Sequence, residues 1–224
     1  MALILHIDTA TEQASVSIAE NGILLQQRLN NRSMDHAAWI HTAIREMFEA
    51  GGGTRLNEVN AVAVVAGPGS YTGLRVGMAT AKGLCYALNI PLVSLNTLLL
   101  MASAMKKQAA PSQLLCPMLD ARRQEVFTAL YDFQLEEKLS PCAMILEPDS
   151  FTQWLRAHTV VFAGSGSHKW KLMQHQQNAV FKDVFYTAGD IAALAADAFN
   201  TQSFSDTAYS DPVYLKEFYS PRPL

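Results

Sequence analysis

The chain has 224 residues, half of them hydrophobic and 17% charged, with a net charge of −3 and an isoelectric point near 6.1. That length supports one large domain or two smaller lobes with cores of their own. The mild acidity argues against unaided binding to a phosphate backbone, which Lys and Arg clusters drive, and the thin charge layer fits a surface that another protein covers.

Residues 3–30 read as three strands: an apolar run at 3–7, an alternating run at 14–19 with Val16 and Ile18 on one side, and 23–29, entered through a tight Asn21-Gly22 turn. Residues 34–49 carry Ala37, Ile40, Ile44 and Met47 at helical spacing, and Gly51-Gly52-Gly53 ends that helix. A short apolar run at 62–66 then enters Gly67-Pro68-Gly69-Ser70-Tyr71-Thr72-Gly73-Leu74-Arg75, followed by a helix over 73–88. Ser70 or Thr72 is placed to cap it. A strand at 91–95 and a helix at 98–107 complete the order β-β-β-α-β-α-β-α, a mixed sheet with helices packed on it.

After a linker at 109–112 the order partly recurs. Strands are expected at 114–119, 126–131 and 159–163, with helices near 149–157, 168–176 and 190–200. The mixed tail at 211–216 precedes Pro221 and Pro223, which mark a frayed end. The division expected is a first lobe at 1–108 and a second, smaller lobe at 109–224 with a C-terminal tail. Cys85, Cys116 and Cys142 are odd in number and form no C-x-x-C, which fits free thiols in a reducing compartment. His6 and Asp8 interrupt the apolar start, so no signal peptide is expected, nor any membrane span. A cytoplasmic protein is expected.

The glycine-rich turn matches no catalytic motif. It lacks the Lys-Ser or Lys-Thr of a P-loop, and Gly67, Gly69 and Gly73 are one residue too far apart for G-x-G-x-x-G. Ser70 has Pro68 and Thr72 where a nucleophile elbow needs glycines. Gly73, Gly77 and Ala81 fall at i, i+4 and i+8, leaving one helix face nearly without side chains. That face either packs on its own sheet or lets a partner's backbone approach closely. His36 and His41 point about 140° apart on a helix and cannot share a metal from one face. Asp8-Thr9-Ala10-Thr11 closes the first strand, either as an Asx-type turn or, as in actin-like ATPases, facing a nucleotide's metal. Ala10 stands where those proteins have Gly. Gly164-Ser165-Gly166 could meet a nucleotide or be a simple turn, and 120–125 concentrates charge as a solvated turn or a partner contact.

With Ile7-Asp8-Thr9-Ala10-Thr11, GPGSYTGLR at 67–75, Asp120-Ala121-Arg122-Arg123 and Phe162-Ala163-Gly164-Ser165-Gly166, the chain resembles the bacterial TsaB (YeaZ) family of threonylcarbamoyladenosine biosynthesis proteins. The resemblance runs from residue 1 to about 216. It implies an α/β, two-lobed actin-like/Hsp70-like/sugar-kinase (ribonuclease H-like) fold in reduced form. It further implies a non-catalytic subunit that binds and stabilises TsaD, with TsaE as third component, in adding threonylcarbamoyl to N6 of adenosine 37 of tRNAs reading codons that begin with A. Transfer and the metal belong to TsaD, whose H-x-x-x-H pair does not occur in this sequence. The tRNA is then met only through the complex, and a homodimer is expected when the partner is absent. No cofactor is expected beyond a nucleotide at the subunit junction, with Asp8, Thr9, Gly164 and Gly166 as vestigial contacts. The partner interface falls on Trp39, Ile40, Gly73, Leu74, Gly77 and Ala81. The alternatives are a stand-alone ATPase or small-molecule kinase of the same fold, and a metallopeptidase.

Overall fold

The computed structural model describes residues 2–31, 35–49 and 55–216. In chain order the elements are β1 (Leu3–Asp8), β2 (Ala14–Glu20), β3 (Ile23–Asn30), α1 (His36–Glu49), β4 (Ala61–Gly67), α2 (Tyr71–Leu88), β5 (Leu92–Asn96) and α3 (Thr97–Met105). They continue with β6 (Leu114–Asp120), β7 (Glu125–Tyr131), β8 (Glu137–Ile145), α4 (Thr152–Leu155), β9 (Val160–Ala163), α5 (Ser167–Lys171), β10 (Ala179–Lys182) and α6 (Ala188–Asn200). The expected Gly51–Gly53 helix stop and the prolines at 221 and 223 lie outside the described residues.

The chain divides into two compact units, residues up to 104 together with 185–212, and the remainder. The first unit holds a sheet ordered β3-β2-β1-β4-β5, antiparallel across β3, β2 and β1 and parallel across β1, β4 and β5. The second sheet, β8-β7-β6-β9-β10, repeats that pattern strand for strand. The duplicated architecture inferred from strand–helix order is thus present as topology.

In the first unit successive residues of β1 and β4 point to opposite faces. Ile4, Ala63 and Val65 pack with Ile191 and Ala195 of α6, while Ile7 and Val64 face α2. This corrects the division at 108/109. The stretch 185–212 returns to the first unit because the apolar stripe of α6 covers its sheet. Ser205 also bridges to Leu92, and Lys82 Nζ donates to the carbonyls of Ala208 and Ser210, both at 2.9 Å. In the second unit Phe151, Phe162, Trp170 and Phe181 stack into an aromatic core with neighbouring centroids 4.6–5.4 Å apart. Trp170 Nε1 donates to the Glu147 carbonyl at 3.0 Å, so its one polar atom is satisfied in that core.

Two strands go unannounced by the sequence. β8 carries Glu137, Lys138 and Pro141 and sits at a sheet edge, where charge and proline are tolerated. β10 has only four residues. The helices expected near 149–157 and 168–176 shrink to α4 and α5, of four and five residues.

Candidate functional site

The turn after β1 and the glycine-rich loop after β4 are packed into each other. Asp8 Oδ1 accepts from Ala10 N at 2.9 Å, so the Asx-type turn is what forms. Ser70 N donates to Ala10 O at 2.7 Å, and Thr9 Oγ1 donates to Gly73 O at 2.7 Å. The approach is so close that a Cβ on Gly69 would lie 2.2 Å from Ala10 O, and one on Gly73 2.0 Å from Thr9 O. Ser70, rather than Thr72, caps α2, its Oγ accepting from Gly73 N at 3.3 Å.

Asp8 is buried, and its second oxygen accepts from Tyr186 Oη at 2.8 Å. Burial raises its carboxyl from 3.8 to about 6, against the opposing pull of those two hydrogen bonds and of His36. Neither Asp8 nor Thr9 presents an open oxygen within this unit, so the residues of this turn do not fit a nucleotide's phosphates or metal. The loop glycines let the backbone of this loop pack directly against Thr9 and Ala10. Gly164 and Gly166 belong to the second unit. There Gly166 N donates to Met118 O at 3.0 Å, and a Cβ on Gly166 would lie 2.7 Å from Val126 Cγ1. Ser165 Oγ accepts from Asp120 N at 3.1 Å, which joins this turn to the charged turn at 120–125.

Asp8 and His6 oppose one another as pH changes. The raised Asp8 pKa gives the fold stability that is fully present below 3.8 and lost as pH rises through about 6. His6 is buried, which lowers its pKa from 6.5 to about 4, so its contribution is present above 6.5 and lost as pH falls towards 4. Asp8→Asn retains an acceptor for Ala10 N and offers its amide to Tyr186. It will raise the unfolding free energy by roughly 3 kcal/mol at pH 8, and that advantage will vanish as pH falls through 6 towards 4. Urea titrations across that range check this. A variant that tracks the parent at every pH contradicts it.

α2 has two small-residue faces, and the one expected to meet a partner is turned inward. Gly73, Leu74, Gly77 and Ala81 are all buried in the chain's own core, and a Cβ on Gly77 would lie 2.4 Å from Thr9 Oγ1 with Ile7 and Val64 just behind. In α1, Ile40 is fully buried and Trp39 half-buried. Of the residues expected at the partner interface, Ile40, Gly73, Leu74, Gly77 and Ala81 are thus buried within the chain itself, the two glycines lying against Thr9. The outward face carries Ala79, Gly83 and Ala87, again at i, i+4 and i+8, with Tyr86 88% exposed beside them. A Cβ on Gly83 would meet nothing within 4 Å. α1 packs beside α2 and exposes Ala37, Ala38, His41 and Thr42.

A family model described as TsaD, tRNA N6-adenosine threonylcarbamoyltransferase, matches residues 25–216. The chain belongs to that family. Within it the likeness is to TsaB (YeaZ) members. The tRNA threonylcarbamoyladenosine biosynthesis protein TsaB of Escherichia coli is 27% identical over 95% of this chain and 94% of its own length. That of Bacillus subtilis is 26% identical over 86% and 80%. The solved structure of YeaZ from Pseudomonas aeruginosa superposes with a TM-score of 0.78 at 27% identity, covering 96% of this chain and all of that one. The α/β two-lobed fold implied by the TsaB resemblance is the one seen. No helix among the described residues is long and apolar enough to cross a membrane.

Two features of this TsaB-like chain escape sequence reasoning. Tyr186 lies 178 residues from the Asp8 it covers, and no local pattern links them. His36 is buried with both ring nitrogens unpaired among the described residues, a burial that a helix start rich in polar neighbours does not announce.

Proposed function

We propose that the chain is an accessory, non-catalytic subunit in the synthesis of threonylcarbamoyladenosine in tRNA. It binds TsaD through the outward faces of α1 and α2, with TsaE as the third component, and the transfer chemistry lies in TsaD. The observation that carries this reading is the near full-length likeness to proteins named for that pathway, joined to the closed turn at Asp8. A stand-alone kinase of this fold would need that turn open to phosphate, yet here Tyr186 and Ala10 hold both carboxylate oxygens. A ridge of Ala79, Gly83 and Ala87 lets a partner helix come close and multiply dispersion contacts, while Tyr86 supplies an apolar body with a polar tip at its edge. In the absence of TsaD the same ridge would serve a homodimer.

Depleting the protein from cells that depend on it will lower the threonylcarbamoyladenosine content of their tRNA, read by mass spectrometry of digested nucleosides. Unchanged content after depletion would overturn the reading. Titrating Mg-ATP onto the isolated chain in a calorimeter addresses the rival: tight binding with turnover would favour a kinase or ATPase.

A further inference from the structure

The turn joining β6 to β7 holds two consecutive side-chain-bearing residues in the left-handed region, Arg122 at φ 70° and Arg123 at φ 49°. L-residues other than Asn and Asp enter that region seldom, and then singly, so an arginine pair there is imposed by its surroundings. Hydrogen bonds hold the turn at Arg122 and at its base. Asp120 Oδ1 accepts from Arg122 N at 2.6 Å, Glu125 N donates to Arg122 O at 3.1 Å, and Ala121 N donates to Glu125 O at 3.1 Å. Asp120 N is held in turn by Ser165 Oγ.

Charge is arranged with equal economy. Lys169 Nζ lies 2.8 Å from Asp120 Oδ1 and donates to Glu125 O at 3.1 Å, and Lys216 pairs with the Glu125 carboxylate. The two acids of the turn are thus answered by two lysines. Arg122 and Arg123 are left exposed, with no ion pair among the described residues. The result is a hydrogen-bonded turn with two uncompensated guanidiniums on a chain whose net charge is −3.

We propose that this turn contacts the phosphate backbone of the RNA substrate. Guanidinium forks match phosphate oxygens bidentately, and a turn held at both ends presents them without loss of loop entropy. The turn, Asp120-Ala121-Arg122-Arg123-Gln124-Glu125, has no aromatic side chain on which a base could stack, so the contact positions RNA and does not read its sequence. The acidity of the rest of the chain explains why two arginines would not capture RNA unaided and would act only where TsaD brings the tRNA. The proposal rests on the function given above and adds one direct contact to a tRNA otherwise met through the complex.

The test uses the assembled complex of this chain with TsaD, with binding of a fluorescent tRNA followed by anisotropy at several salt concentrations. Asn tolerates the left-handed region, so the double variant Arg122→Asn/Arg123→Asn removes the charge and keeps the backbone, which a thermal melt confirms. It is expected to bind tRNA about tenfold more weakly near physiological salt and to lower the slope of log affinity against log salt by about 1.4–1.8. Arg122→Lys/Arg123→Lys is expected to retain the parent's slope. If the double Asn variant assembles with TsaD and binds tRNA with the parent's affinity and slope, this contact is overturned and the proposed function stands. If the parent chain itself fails to assemble with TsaD, the proposed function is overturned and this contact with it.

Discussion

Gly73→Ala and Gly83→Ala, the same substitution ten residues apart in one helix, will change stability in opposite directions. At Gly73 the added methyl must occupy a point 2.0 Å from the carbonyl oxygen of Thr9, a backbone atom that no rotamer change can move aside. Relieving the clash requires α2 to lift from the turn after β1, which breaks the Thr9 Oγ1 to Gly73 O hydrogen bond and the Ser70 N to Ala10 O bond beside it. Overpacking of this kind together with a lost buried hydrogen bond costs about 3 kcal/mol, a fall in melting temperature of roughly 6–12 °C for a chain of this size. At Gly83 the methyl meets open space, and replacing glycine within a helix gains roughly 0.5–1 kcal/mol. Scanning calorimetry of the two variants reads both signs. A Gly73→Ala protein as stable as the parent would contradict the inward packing of that face.

Gly83→Trp will leave the fold intact and abolish association with TsaD. Gly83 is exposed and a Cβ there meets nothing within 4 Å, so the indole can turn to solvent, and a tryptophan is no worse than glycine inside a helix. Where a partner helix approaches closely along this ridge, as proposed, a side chain of that size holds the two helices apart and removes their dispersion contacts along several turns. The expected loss is at least a hundredfold in affinity, about 2.7 kcal/mol, with an unchanged melting temperature. Ala79→Trp, one turn earlier on the same exposed ridge, should act likewise. Gly77→Trp is no test of the interface: its side chain would be driven into Thr9, Ile7 and Val64, so any loss of binding would report a damaged core. Retained affinity in Gly83→Trp would remove the outward face of α2 from the interface.

The two small-residue faces show why the fold was more legible than the site. Periodicity finds a helix and the spacing of its small residues, and both sets, Gly73/Gly77/Ala81 and Ala79/Gly83/Ala87, satisfy the same i, i+4, i+8 rule. What chooses between them is the hydroxyl of Thr9, which lies 64 residues away along the chain and binds the Gly73 carbonyl. Local chemistry was readable where it acted locally. Asn21 and Gly22, at φ 51° and 80°, make the tight turn that their identities announce, and Ser70 caps the helix that follows it. α6 was readable as a helix but not as a covering for the first sheet, since an apolar stripe such as Ile191 and Ala195 fits any sheet face. The cover over Asp8 was hidden for the same reason, because Tyr186 reaches it only through the fold.

Reconstituting threonylcarbamoyl transfer with purified components tests most directly whether this chain supports a catalyst rather than being one. With TsaD, TsaE, threonylcarbamoyl-adenylate and unmodified tRNA present, modified nucleoside should form when this chain is added, fall to background when it or TsaD is omitted, and fall likewise with Gly83→Trp. Modification by this chain without TsaD, or modification undiminished in its absence, would contradict the account.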